Sequence, residues 1–136
     1  MVVVELDRAV ESTAAFAEVD EVVEIVAVVG VQDSAVTTSG NYEQYYKLEN
    51  KKLSHIIDPR TGYPQAGVIS STIIADNALE ADVFSTALSV LGVEEGLTLI
   101  KGLGGNKASL LFTDSSKDGI LKRFESDNFA QYLIQQ

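Results

Sequence analysis

Runs of β-branched and other apolar residues recur along the chain, and polar segments containing glycine or asparagine separate them. Most of these runs are five to eight residues long, which is typical of β-strands rather than helices. The segments predicted as strands on this basis are 2–6, 22–29, 68–75, 108–112 and 120–124. A turn at residues 114–119 would join the last two strands.

The middle of the chain has the pattern of turns and a hairpin. Residues 42–48 and 53–57 flank the polar segment 49–52, which predicts a β-hairpin. In the segment 58–62, Pro59 restricts φ and Gly62 permits a positive φ, so this segment is predicted as a tight turn. The polar, glycine-containing segment 37–41 is predicted as a loop.

Apolar positions at helical spacing predict a helix over residues 77–91. Asn77 with Glu80 three residues later is the pattern of a capping box, and Gly92 suits the position after the last turn. A second, short helix is predicted over 93–101, ended by the glycine-rich segment 102–105. Further helical segments are predicted at 7–18 and, capped by Asp127, up to residue 133.

These elements predict a single α+β domain over residues 1–136, with a mainly antiparallel sheet and two or three packed helices. The formal charge is −10, which argues against a non-specific nucleic-acid binder. The chain has no cysteine and one histidine, which excludes disulfides, thiolate catalysis and a multi-histidine metal site within one chain. We expect no signal peptide and no membrane-spanning segment in this chain.

The single histidine, His55, precedes the predicted turn. It has two interpretations: a general base near neutral pH, or a strand-end histidine with a structural hydrogen bond. Arg60 in the turn either binds a phosphate or pairs with Asp58. Ser39 and Gly40 belong either to a loop that approaches a ligand closely or to an ordinary connection between strands.

Asp82 and Thr86 are four residues apart on the best-supported helix, so they lie on the same face of it. A carboxylate and a hydroxyl at this spacing are oxygen ligands that suit Mg²⁺, which also keeps waters and binds phosphate oxygens. The alternative is a solvated aspartate beside a threonine that bonds back to its own helix.

Three segments occur in a specific order: TSGNYE at 38–43, HIIDPRTGYP at 55–64 and ADVFSTALSVLG at 81–92. Together they resemble the C-terminal half of the ApbE family, the FAD:protein FMN transferases. The resemblance covers residues 22–136. Residues 1–21 carry no segment that matches, and Asn41 stands where the family commonly has aspartate.

The resemblance implies an enzyme that uses Mg²⁺ to cleave FAD and transfers FMN to a Thr or Ser of an acceptor protein, releasing AMP. It implies that Asp82 and Thr86 bind the metal and that His55 activates the acceptor hydroxyl. It also implies work at the bacterial cell envelope. The positions that it places near the flavin nucleotide are Ser39, Gly40, Asp58, Arg60, Thr61 and Gly62.

Family enzymes are longer than this chain and carry an N-terminal half that it does not match. Two function classes therefore stay open: an active transferase or FAD diphosphatase, and a catalytically silent structural or flavin-binding module. A homodimer, or a separate N-terminal half, would cover the apolar surface that the usual cleft otherwise leaves exposed.

Overall fold

A computed structural model describes residues 2–7, 24–41, 45–48, 51–115 and 120–134 of the chain. In chain order the elements are β1 (Val2–Asp7), β2 (Glu24–Gly30), β3 (Ala35–Gly40), β4 (Tyr45–Leu48), β5 (Lys51–Ser54), β6 (Ile57–Asp58), β7 (Tyr63–Pro64), β8 (Val68–Ala75), α1 (Ala78–Leu91), α2 (Val93–Leu103), β9 (Ala108–Ser115), β10 (Ile120–Glu125) and the 3₁₀ helix η1 (Phe129–Tyr132).

The largest sheet in this part of the chain has four antiparallel strands in the order β10-β9-β8-β3. β1 and β2 pair in parallel, and β4–β5 and β6–β7 are antiparallel pairs. The predicted α+β class with a mainly antiparallel sheet is therefore confirmed. The strand predictions at 2–6, 22–29, 68–75, 108–112 and 120–124 agree with β1, β2, β8, β9 and β10 within a few residues.

Apolar residues cover both faces of this sheet. On β8, Ile73 faces one side and packs with Leu88 of α1, Ile100 of α2 and Leu111. Its neighbour Ile74 faces the other side, since successive strand side chains alternate. There it packs against apolar residues of β2, β9 and η1, namely Val29, Ala108, Leu110, Phe112 and Phe129. The sheet is thus the middle layer of three.

The helix predicted at 77–91 is confirmed as α1, and its ends are capped by backbone and side-chain hydrogen bonds. Asn77 Oδ1 accepts from the Glu80 N–H at 3.0 Å, as the capping pattern predicted. At the other end, the Gly92 N–H donates to Leu88 O. α1 and α2 then pack closely, because a Cβ placed on Gly96 would lie 3.0 Å from Leu88 Cγ.

The prediction of a loop at 37–41 is wrong, because residues 35–40 form strand β3. Two factors favour the strand: Thr37 and Thr38 are β-branched, and β8 supplies a complete antiparallel partner, with Ser39 opposite Ser71. The Thr38 and Thr72 hydroxyls also bond across the pair at 2.8 Å. Gly40 ends the strand.

The chain's last helical turn is also capped differently from the prediction. η1 has Asn128, not Asp127, at its N-cap. Asn128 is held in place because its amide donates to Lys107 O and its Oδ1 accepts from Ser126 Oγ. β9 continues to Ser115 instead of ending at 112, so residues 114 and 115 of the predicted turn belong to the strand, and the rest of that turn prediction lies outside the described residues.

The hairpin prediction is confirmed by β4 and β5, although the second strand spans Lys51–Ser54 instead of 53–57, and Ile57 belongs to β6, which pairs with β7. Asp7, the first residue of the helix predicted at 7–18, belongs instead to β1, and the rest of that prediction lies outside the described residues, as do positions 42–44, 49–50 and 116–119. Within the described ranges, neither α1 nor α2 has the length and apolar character needed to cross a bilayer.

Candidate functional site

Asp82 and Thr86 lie one turn apart on α1, and both side chains are exposed. Together they line a groove of about 640 Å³ between the helix and the chain at 56–60. The predicted same-face arrangement is therefore present. The rest of the groove is mostly apolar, lined by Ile56, Ile57, Pro59, Val83, Ala87, Val90 and Leu91, with Arg60 at its wall.

A second groove, of about 470 Å³, adjoins the first. It is lined by Ser39 and Gly40 at the end of β3, by His55, and again by Thr86. Ile56 and Ile57 line both grooves as well. The two grooves therefore meet at Thr86. The structure brings Ser39, Gly40 and His55 to one side of this residue, and Asp82 and Arg60 to the other.

Hydrogen bonds inside the turn hold Asp58 in place. Its Oδ1 accepts from the backbone N–H of Arg60 at 2.9 Å, and its carbonyl accepts from the N–H of Gly62 at 2.8 Å. Gly62 has φ +74°, as the turn prediction required. Thr61 Oγ1 accepts from the Tyr63 N–H at 3.2 Å. Thr61 and Gly62 are exposed and line neither groove.

Arg60 pairs with Asp58, which was one of its two predicted roles. Its Nε and Nη2 bind the Asp58 carboxylate, with Nη2 2.9 Å from Oδ2. Nη2 also donates to Val90 O at 3.1 Å, and Nη1 donates to Glu95 at 3.2 Å. At most one guanidinium N–H is left for a ligand, since arginine has five.

The same contacts shift both pKa values in this pair. The hydrogen bonds from Arg60, first from its side chain and then from its backbone, hold the pKa of Asp58 below its usual value. The side-chain hydrogen bond with Asp58 and its negative charge raise the pKa of Arg60. Both groups therefore stay charged at neutral pH, and the turn keeps its ion pair.

Ser39 is bonded to hydroxyl groups of α1. Its Oγ lies 2.8 Å from Ser85 Oγ and 3.2 Å from Thr86 Oγ1. Ser85 Oγ in turn donates to the Asp82 carbonyl at 2.9 Å. Sequence reasoning assigned no role to Ser85, although its position beside Thr86 on an otherwise apolar face was a usable signal.

Sequence reasoning also missed Glu95 as the partner of Arg60. The two residues are 35 positions apart, and they meet only because α2 follows α1 directly. No local pattern in the sequence indicates that contact.

The oxygen donors on α1 fit a hard divalent cation. Across the ranges given above, no cluster of three or more His, Cys, Asp or Glu side chains is placed to hold a metal. Asp82 and Thr86 contribute one carboxylate and one hydroxyl to the lining of this groove. That set suits Mg²⁺, which keeps several waters and completes its shell with substrate phosphate oxygens.

Comparison with known proteins identifies relatives over most of the chain. The model of the ApbE family matches residues 7–110. The FAD:protein FMN transferase of Escherichia coli K12 is 36% identical over 111 residues, covering 81% of this chain and 30% of that protein.

Solved structures of proteins named ApbE also resemble this chain. The ApbE protein of Thermotoga maritima superposes with a TM-score of 0.68 at 31% identity, covering 82% of this chain and 35% of the other. The flavinyl transferase ApbE of Pseudomonas stutzeri, in its apo form, superposes with a TM-score of 0.63 at 29% identity, covering 78% and 33%. This chain therefore spans about a third of the length of these relatives.

Proposed function

Because this chain belongs to the ApbE family, we propose that it cleaves FAD and transfers FMN to a threonine or serine of an acceptor protein, with AMP as the leaving group. One observation carries the proposal: the groove with Asp82 and the groove with His55 meet at Thr86. A cation ligand set and a base thus flank one position where a pyrophosphate would lie.

His55 acts as the general base in this proposal. It accepts the proton of the acceptor hydroxyl as that oxygen attacks the phosphorus of the FMN half. A new P–O bond forms to the acceptor, and the bond from that phosphorus to the oxygen bridging to AMP breaks. AMP leaves with the bridging oxygen. Histidine is the side chain that most often serves as a general base, and the imidazole of His55 is exposed, so an acceptor hydroxyl can reach it.

Asp82 and Thr86 would hold Mg²⁺. The bound cation supplies neutralisation of the negative charge on the pyrophosphate oxygens. This matters in a chain with a formal charge of −10, which repels FAD. The two ligands are fixed relative to each other because both sit on one helix with capped ends.

Ser39 and Gly40, with the turn residues Asp58, Arg60, Thr61 and Gly62, are proposed to lie near the flavin nucleotide. Support comes from the grooves, since Ser39 and Gly40 line one and Arg60 the other. Asp58 contributes through Arg60, which it orients. An envelope location is part of the same proposal, and it rests on the family resemblance alone.

A direct test incubates the chain with FAD, Mg²⁺ and a threonine-containing acceptor peptide. Mass spectrometry should find the peptide heavier by one FMN residue, with an equal amount of AMP released. His55→Ala should lose both products. An unlabelled peptide, with no AMP above the protein-free control, would contradict the proposal.

Hydrolysis of FAD to FMN and AMP is a second candidate. It is favoured by the exposure of His55, Asp82 and Thr86, because water has access to all three. Hydrolysis would release AMP and free FMN without labelling the peptide, so the same assay separates the two reactions.

A further inference from the structure

Three hydroxyl groups and one carbonyl form a series of hydrogen bonds that links the two residues of the proposed cation site. The series runs from Thr86 Oγ1 to Ser39 Oγ at 3.2 Å, from Ser39 Oγ to Ser85 Oγ at 2.8 Å, and from Ser85 Oγ to Asp82 O at 2.9 Å. It therefore begins and ends on the two residues proposed to bind Mg²⁺.

The direction of every bond in this series follows from its last member. A carbonyl oxygen can only accept, so the Ser85 hydroxyl proton points to Asp82 O. Since a serine hydroxyl has one proton, Ser85 Oγ must accept from Ser39. Ser39 has then used its own proton and must accept from Thr86. The Thr86 proton thus points at Ser39.

We propose that Ser39 is a positioning residue that directs the lone pairs of the Thr86 hydroxyl towards the cation. The inference rests on the metal site of the proposed function. A hydroxyl binds a cation through an oxygen lone pair, so its proton must be held elsewhere. Ser39 provides the acceptor for that proton, and Ser85 accepts the Ser39 proton, so Ser39 accepts from Thr86 instead of donating to it.

The serine residues of this hydrogen-bond series are held in fixed positions. Ser85 is fully buried. Ser39 is fixed in strand β3 by its pairing with Ser71 of the central strand β8. Ile73 packs against α1, and Ser71, two residues earlier on the same strand, faces the same side of the sheet. Ser39 lies opposite Ser71, so it also faces α1. A residue from another element therefore orients the Thr86 hydroxyl.

Mn²⁺ titration followed by electron paramagnetic resonance of the free ion tests this role without turnover. Ser39→Ala should weaken Mn²⁺ binding by about tenfold to a hundredfold, the range seen for residues that orient metal ligands. Ser89→Ala is the matched control. Ser89 Oγ donates to the Ser85 carbonyl on the same helix and is not one of the groups that link Thr86 to the Asp82 carbonyl. The control should bind Mn²⁺ as the wild type does.

Ser85→Ala is the second variant. It leaves Ser39 in place but frees its proton to point at Thr86, so we expect a smaller loss than for Ser39→Ala. Thermal melting of each variant separates this effect from unfolding. Wild-type Mn²⁺ affinity in a folded Ser39→Ala variant would overturn the inference.

The Asp82→Ala variant shows whether only the role of Ser39 is rejected or the metal site of the proposed function is rejected as well. If Asp82→Ala abolishes Mn²⁺ binding while Ser39→Ala does not weaken it, the metal site stands and only the role of Ser39 is rejected. If the wild type itself binds no Mn²⁺, both the metal site and the inference are rejected.

Discussion

Arg60 Nη1 lies 3.2 Å from a carboxylate oxygen of Glu95 in the first turn of α2, while Nη2 of the same guanidinium binds both Asp58 and the Val90 carbonyl. One side chain therefore ties the 58–62 turn to the end of α1 and the start of α2. The Arg60–Glu95 pair is largely exposed, so it contributes little to the free energy of unfolding. The contacts of Arg60 instead fix the position of the 58–60 segment, which forms one wall of the groove that Asp82 lines.

Arg60→Lys should therefore lower activity far more than stability. Lysine cannot bind the Asp58 carboxylate through two N–H groups while also reaching Val90 O and Glu95. We expect kcat/KM for FAD to fall by about tenfold to a hundredfold, because small displacements of a positioning wall are costly. Steady-state kinetics and thermal melting measure the two effects.

Arg123→Lys is a matched control for this substitution. Arg123 forms an ion pair with Glu125 on β10 and lines neither groove. The Arg123→Lys substitution should leave kcat/KM for FAD unchanged. An Arg60→Lys variant with wild-type kinetics would show that the turn needs no anchoring by this guanidinium.

Acid should weaken the turn through Asp58. Because the folded-state pKa of Asp58 is lowered by Arg60, its contribution to stability is complete above the ordinary aspartate pKa, about 4. That contribution is lost as the pH falls through the lowered value. Asp58→Asn should remove this part of the pH dependence, as measured by urea unfolding between about pH 2 and pH 6. Parallel profiles for variant and wild type would contradict the assignment.

Gly62→Ala should destabilise the chain through the backbone alone. Gly62 has φ +74° and no heavy atom within 4 Å of an added Cβ, so strain is the only cost, about 1–2 kcal/mol. Gly102→Ala is the control: it also meets nothing within 4 Å, but it lies in α2, where alanine should stabilise by up to about 1 kcal/mol. Equal unfolding free energies in the two variants would refute this account.

His55→Ala should keep the fold and lose the chemistry. The side chain is exposed, so we expect the melting temperature to stay near that of the wild type. Loss of a general base should reduce FMN transfer by about a hundredfold to ten-thousandfold. A large drop in melting temperature would instead support the structural interpretation of this histidine.

Features encoded locally were the ones that sequence reasoning could predict. Helix α1 carries its own cap in Asn77, and the same-face placement of Asp82 and Thr86 follows from helical spacing alone. Segment 37–41 was misread because its polar residues resemble a loop, whereas pairing with β8 makes it a strand. That error hid the bonds from Ser39 to α1, which depend on strand register.

The proposed role of Asp82 in Mg²⁺-dependent cleavage of FAD is tested by measuring AMP release as Mg²⁺ is varied, for the wild type, Asp82→Ala and the exposed control Asp127→Ala. Asp127 pairs with Lys101 and lines neither groove, so its loss removes the same charge elsewhere. We expect Mg²⁺-dependent release that Asp82→Ala loses and Asp127→Ala keeps. Release that is absent from the wild type, or equal in all three proteins, would contradict that role.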